Sequence, residues 1–211
     1  MIDTFLKTID KMPLVAILRG ITPDEAGPVS DVLVKAGFTF LEVTLNSPGW
    51  AESMTEINAR HGTSIVLGAG TVLTPDEVDQ VQATGGQAII SPNMRVDVIR
   101  RTRELGMLSA PGCYTPTECF AALDAGAHIL KIFPADTLGT PFIKAITAVL
   151  PVGTRICPTG GVNKENMKDF LDVGVSAMGM GSALYKPGKS LDDVAKAAAG
   201  FVSTYRALKA G

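Results

Sequence analysis

The chain has 211 residues, of which 46% are hydrophobic and 19% charged, with a formal net charge of −2. That length suits one domain with a sizeable buried core, and the composition excludes a disordered or collagen-like chain. The near-neutral charge argues against a basic face for nucleic acid, no apolar run approaches a bilayer span, and the N-terminal segment lacks a signal-peptide pattern, so a single cytoplasmic domain over residues 1–211 is expected.

A short helix is predicted over residues 2–11, ahead of the first apolar run at 14–18. Further short runs rich in Val, Ile and Leu follow at 39–45, 64–70, 87–90, 107–110, 128–134, 154–158 and 176–181. Each is only a few residues long and apolar on both faces, which fits strands of a parallel sheet covered on both sides. Helix-like stretches lie between them. Three start alike, at Thr22-Pro23-Asp24-Glu25, Thr74-Pro75-Asp76-Glu77 and Thr115-Pro116-Thr117-Glu118. In each, threonine caps the helix, proline takes the first turn, and a carboxylate stands third. Helix starts are also expected at Asn163-Lys164-Glu165 and near Ser182, and a long final helix at 191–210. Glycines at 37, 85, 106, 126 and 174 mark helix ends.

Eight strand–helix units without a linker predict an α/β (β/α)8 TIM barrel with a short N-terminal helix. An open doubly wound sheet is the alternative, but the turn after the first strand, Arg19-Gly20-Ile21-Thr22-Pro23, does not fit its glycine fingerprint.

Three of these runs carry a charge near the C-terminal end: Arg19, Glu42 and Lys131. Active sites of barrels lie at that end. Alternation puts Val15, Ile17 and Arg19 on one face, Phe40, Glu42 and Thr44 on another, and Ile129, Lys131 and Phe133 on a third, so the three charges are expected to converge inside the barrel mouth. Of eleven lysines, only Lys131 stands inside an apolar strand. Desolvation favours the neutral amine, which can attack a ketone and form a Schiff base. The competing reading is a Lys131–Glu42 salt bridge of structural value alone.

Late in the chain, Thr159-Gly160-Gly161-Val162 and Gly179-Met180-Gly181-Ser182 follow the seventh and eighth strands. Glycines there let backbone N–H groups approach an anion, and this end of a barrel is a frequent phosphate site. Gly68-Ala69-Gly70-Thr71 offers a further close backbone approach with a hydroxyl, or simply a tight turn. Trp50, Asn93 and Cys113 are weaker candidates for the same rim. The three cysteines, Cys113, Cys119 and Cys157, show no Cys-x-x-Cys spacing and read as buried free thiols. His61 and His128 stand far apart without a carboxylate cluster, which disfavours a metal site.

Seven motifs together carry a family resemblance: PLVAILRG (13–20), LEVTLN (41–46), GAGTVL (68–73), SPN (91–93), PGC (111–113), KIFP (131–134) and PTGGV (158–162). The chain resembles the class I aldolases that cleave 2-keto-3-deoxy-6-phospho sugar acids, over essentially its whole length. The resemblance implies a Schiff-base lyase in which Lys131 is the Schiff-base lysine and Glu42 the general acid/base. It implies that Arg19 and Thr71 bind substrate and that Gly160, Gly161, Gly181 and Ser182 cradle the phosphate. It also implies cleavage of a phosphorylated keto-deoxy sugar acid to pyruvate and glyceraldehyde 3-phosphate, no metal or organic cofactor, and a homotrimer. Arg19 and the LeuAsnSerPro stretch resemble the galactonate branch of the family. Thr159 resembles the gluconate branch and lies near the substrate's carbon-four hydroxyl, so cleavage of the galactonate epimer with measurable gluconate activity is expected. Two further readings compete: a metal-dependent barrel isomerase or class II aldolase, and a non-catalytic barrel that binds a phosphometabolite.

Overall fold

The computed structural model describes residues 2–210; Met1 and Gly211, the outer bounds of the expected domain, lie outside the described residues. The strands are β1 (Leu14–Leu18), β2 (Phe40–Thr44), β3 (Val66–Gly70), β4 (Ala88–Ile90), β5 (Leu108–Ala110), β6 (Gly112–Cys113), β7 (Leu130–Ile132), β8 (Ile156–Pro158) and β9 (Met178–Met180). All pair in parallel, giving a curled sheet in two hydrogen-bonded parts, ordered β5-β4-β3-β2-β1-β9 and β6-β7-β8. Every expected apolar run contains a strand. The fifth run continues past its expected end and is split by Pro111, whose ring nitrogen has no proton for the ladder. The Pro111 carbonyl still accepts the Lys131 N–H at 3.0 Å, so β5 and β6 stay in line.

The helices are α1 (Ile2–Lys11), α2 (Pro23–Ala36), α3 (Trp50–His61), α4 (Pro75–Ala83), α5 (Val96–Glu104), α6 (Pro116–Asp124), α7 (Ala135–Thr147), α8 (Met167–Asp172) and α9 (Leu191–Ala210). The three threonine starts are capping boxes. The Thr74 and Thr115 hydroxyls accept the N–H groups of Glu77 and Glu118, and at Thr22 the Glu25 carboxylate accepts both the backbone N–H and the hydroxyl. Two helix expectations fail. Residues 163–166 form a turn tied by Asn163 and Asn166, so α8 begins only at Met167. Residues 182–184 form a single turn, in which the Gly181 carbonyl accepts the Leu184 and Tyr185 N–H groups at 2.9 and 3.1 Å.

The strand alternation is realised as two cores. Leu14, Ala16, Leu18, Leu41 and Val43 pack beneath the helices, while Val15, Phe40, Val66, Ile90 and Ile129 form a separate inner cluster. Ile9 belongs to that inner cluster, and Ile2, Phe5 and Leu6 pack against it, so α1 covers the N-terminal end of the strands. Arg155 fastens α1 from β8's side by hydrogen bonds to both Asp10 carboxylate oxygens. Each fully buried Leu, Ile or Phe contributes about 1.5–3 kcal/mol. The inner cluster therefore closes one end of the sheet with apolar packing and leaves the C-terminal strand ends for chemistry.

Candidate active site

Glu42 is the third residue of β2 and lies in register with Ile17 of β1 and Gly68 of β3. Lys131 is the middle residue of β7, between Gly112 and Cys157. Both side chains point inward and are almost fully buried, at 3% and 5% exposure. They share one small chamber, of about 20 Å³, with Thr159 and Cys157 and with apolar walls from Phe40 and Ile129. That volume is close to what one water molecule needs.

Among the described residues, Lys131 and Glu42 do not come within 4.0 Å as an ion pair, and neither side chain has a hydrogen-bond partner. The purely structural salt bridge is therefore not the arrangement found. Burying an ionisable group without a hydrogen-bond partner is costly, so two such groups are held here at a cost that packing alone does not explain. Burial pushes the Glu42 carboxyl above the ordinary glutamate range, with the charges of Lys131 and Arg19 pulling it back. The Lys131 Nζ lies 5.1 Å from the Phe133 ring centroid. Burial also pushes the Cys157 thiol up to about 12, so it stands beside the lysine as a neutral group.

Above the chamber opens a cleft of about 700 Å³, and Thr159 belongs to the walls of both. The Thr159 hydroxyl lies against Gly179, where an added Cβ would come within 2.5 Å of it. Gly160 and Gly161 follow with φ of 100° and 71°, which side chains rarely adopt. The side-chain amides of Asn163 and Asn166 donate to the Gly161 carbonyl at 3.3 and 2.9 Å. Lys189 donates to the carbonyls of Ala183 and Leu184, holding the opposite turn from behind. Among the described residues, the N–H groups of Gly160, Gly161, Ser182 and Ala183 have no acceptor. The charged residues on the cleft wall, Arg19 and Lys186, are both cations. Free N–H groups on two glycine turns flanked by cations suit a phosphate or carboxylate.

The expected site residues fall into three groups. Lys131, Glu42 and Thr159 meet at the chamber, and Gly160, Gly161, Gly181 and Ser182 meet at the cleft. Arg19 reaches the cleft, but it is exposed and lies one residue beyond β1, where the chain has left the sheet; it is at the rim and not inside the mouth. Thr71 belongs to neither wall. It stands just past β3 with φ 63°, an uncommon backbone for a β-branched residue. Trp50 packs against the outer core, Cys113 is buried in that core beneath the helices, and Asn93 is exposed outside both spaces.

Sequence reading missed Lys186 and Tyr185, which follow the Gly181 turn and line the cleft. A cation four residues after a glycine–serine turn was the available signal. Gly70, marked in the sequence only as part of a close backbone approach or a tight turn, backs the Glu42 carboxylate. Among the described residues, no three His, Cys, Asp or Glu side chains gather as a metal ion requires.

Residues 2–199 match the family described as Aldolase: KDPG and KHG aldolase. The chain is 47% identical to the 2-dehydro-3-deoxy-6-phosphogalactonate aldolase of Escherichia coli strain K12, over 93% of this chain and 96% of that protein. A solved structure described as native KDPGal superposes with a TM-score of 0.93 at 46% identity, covering 95% of this chain and 98% of the other. The KDPG aldolase of Legionella pneumophila, solved with pyruvate captured at low pH as a covalent carbinolamine intermediate, superposes with a TM-score of 0.82 at 26% identity, covering 96% and 97% of the two chains.

Proposed function

The chain belongs to the KDPG and KHG aldolase family, and from that premise we propose that it cleaves 2-dehydro-3-deoxy-6-phospho-D-galactonate to pyruvate and D-glyceraldehyde 3-phosphate through a Schiff base on Lys131. It is a lyase, an aldolase. The observation that carries the mechanism is the shared chamber: Lys131 and Glu42 are buried together without pairing to each other.

The Lys131 amine adds to the C2 ketone, and loss of water from the carbinolamine gives an iminium ion. The iminium accepts the electron pair of the C3–C4 bond as that bond breaks, while the carbon-four hydroxyl gives up its proton and becomes the aldehyde. Protonation of the enamine at C3 and hydrolysis of the imine release pyruvate and free the lysine. Glu42 moves the protons, taking one from the carbon-four hydroxyl and returning one to C3. Its raised affinity for a proton suits it to hold that proton between the two steps. The free N–H groups of Gly160, Gly161 and Ser182, with Gly181, take the phosphate, and Arg19 on the cleft wall holds another polar group of the substrate. The chemistry uses no metal or organic cofactor.

We place this site in a closed (β/α)8 barrel formed by one domain. Hydrogen bonds across both seams between the two sheet parts support closure. Ser176 and Ala177 donate to the Ile156 carbonyl, Thr159 and Gly179 form a parallel bridge, and Ile129 and Lys131 donate to the carbonyls of Ser109 and Pro111. The protein acts in the cytoplasm, where a phosphorylated sugar acid is kept. It assembles as a homotrimer, and exposed Leu73 after β3, Val96 at the start of α5, Tyr114 after β6 and Phe120 on α6 are apolar surface for such contacts.

The test is steady-state cleavage of the two epimeric 2-keto-3-deoxy-6-phospho acids with pyruvate release as readout. The galactonate epimer is expected to have the larger kcat/KM, with measurable turnover of the gluconate epimer. A hundredfold preference for the gluconate epimer, or turnover of neither, would overturn the reading.

A further inference from the structure

We propose that Ser47 is a positioning residue that fixes the backbone of Arg19 and so aims its guanidinium into the cleft. Ser47 lies in the turn after β2 and is buried, at 5% exposure. Its hydroxyl oxygen accepts the Gly20 N–H at 2.8 Å, stands 3.5 Å from the Leu18 carbonyl oxygen, and meets the fully buried Thr44 hydroxyl at 3.1 Å. One proton arrangement serves all three contacts: Gly20 and Thr44 donate to Ser47, and Ser47 donates to Leu18. The Leu18 carbonyl belongs to the peptide unit before Arg19, and the Gly20 N–H to the unit after it. Because peptide units are planar, holding both leaves φ and ψ of Arg19 little freedom.

Gly20 is confined from the other side. Its φ is +79°, and a Cβ there would come within 2.7 Å of Pro187 Cγ in the loop after β9. The same loop is tied back at Tyr185, whose hydroxyl donates to the Glu25 carboxylate at 3.2 Å. Arg19 therefore projects from a backbone gripped by Ser47 on one side and Pro187 on the other. This matters because Arg19 is exposed and has no ion-pair partner among the described residues. A long, solvated side chain loses conformational freedom when it binds an anion, and a fixed root reduces that loss.

The proposal rests on the reading of Arg19 as a substrate-binding residue. It is tested by a double-mutant cycle with Ser47→Ala and Arg19→Ala, measuring kcat and KM for the phosphorylated substrate and the melting temperature of each variant. Ser47→Ala removes all three contacts but acts on binding only through the freedom it gives Arg19, so KM should rise about tenfold at most, with kcat within about threefold of wild type. In the Arg19→Ala background the Ser47 substitution should change KM no further. Ser47→Cys, close to serine in size, repeats the measurement with a weak acceptor and should also raise KM. Equal falls in kcat and kcat/KM, an unchanged KM in both Ser47 variants, or full additivity with Arg19→Ala would overturn the positioning role. If Arg19→Ala itself leaves KM unchanged, the binding role of Arg19 fails first and the proposal falls with it.

Discussion

The Glu42 carboxylate occupies the space above Gly70 that any other residue would fill: a Cβ on Gly70 would lie 1.9 Å from Glu42 Oε1 and 2.7 Å from Cδ. Gly70 ends β3, one strand over from Glu42, and its φ is not in the left-handed region. It is glycine for want of room and not for backbone freedom. Gly70→Ala should therefore displace the carboxylate while leaving the strand intact. A misplacement of about 1 Å can cost roughly a hundredfold in rate, so turnover should fall by about that factor. Circular dichroism and kcat measured on the same preparation check it; wild-type turnover would mean that the seat is not needed.

Glu42→Gln keeps the shape and removes the proton carrier. Turnover should fall by roughly 10²–10⁴, with Schiff-base formation slowed and still detectable. Wild-type rates would assign proton transfer to another group.

The same variant carries a pH signature. The folded-state affinity of Glu42 for its proton is raised above the ordinary value of 4.5 by burial, against the pull of Lys131 and Arg19. The stability this contributes is fully present below 4.5 and is lost as pH rises through the higher folded value. Glutamine has no such loss. The melting temperature of Glu42→Gln relative to wild type should thus rise as pH is raised from 4.5 toward neutrality. A constant difference across that range would contradict the burial account.

Much of this was legible in the chain. Eight apolar runs marked every strand but the two-residue β6, and alternation correctly separated Val15 and Phe40 from Leu14 and Leu41. A lysine inside the run at 128–134 was conspicuous because burial of a charge is costly. The rule failed where the strand stopped: Arg19 follows Leu18 by one residue, the chain has already turned at Gly20, and parity no longer sets direction. The expected helix near Ser182 failed because Pro187 and Gly188 interrupt it, leaving room for one turn before α9. Ser47 was not legible at all and Gly70 was marked without its partner Glu42, since each acts by contact with an element distant in sequence.

Thr159 sets the epimer balance in this account. Its hydroxyl lies over Gly179 at the junction of chamber and cleft. One hydrogen bond contributes about 0.5–1.5 kcal/mol net, enough for about a tenfold change in ratio and not for strict exclusion. Thr159→Val should shift the ratio of kcat/KM values toward the galactonate epimer by up to that factor. A shift toward the gluconate epimer would show that the hydroxyl does not serve that substrate.

The central claim is that Lys131 forms the Schiff base. The direct measurement is incubation of the enzyme with pyruvate and borohydride, followed by peptide mass mapping. Reduction of a pyruvate imine should add one reduced pyruvyl group to the peptide carrying Lys131, abolish activity in proportion to labelling, and give no adduct in Lys131→Ala. An unlabelled Lys131, with activity surviving the treatment, would contradict the account.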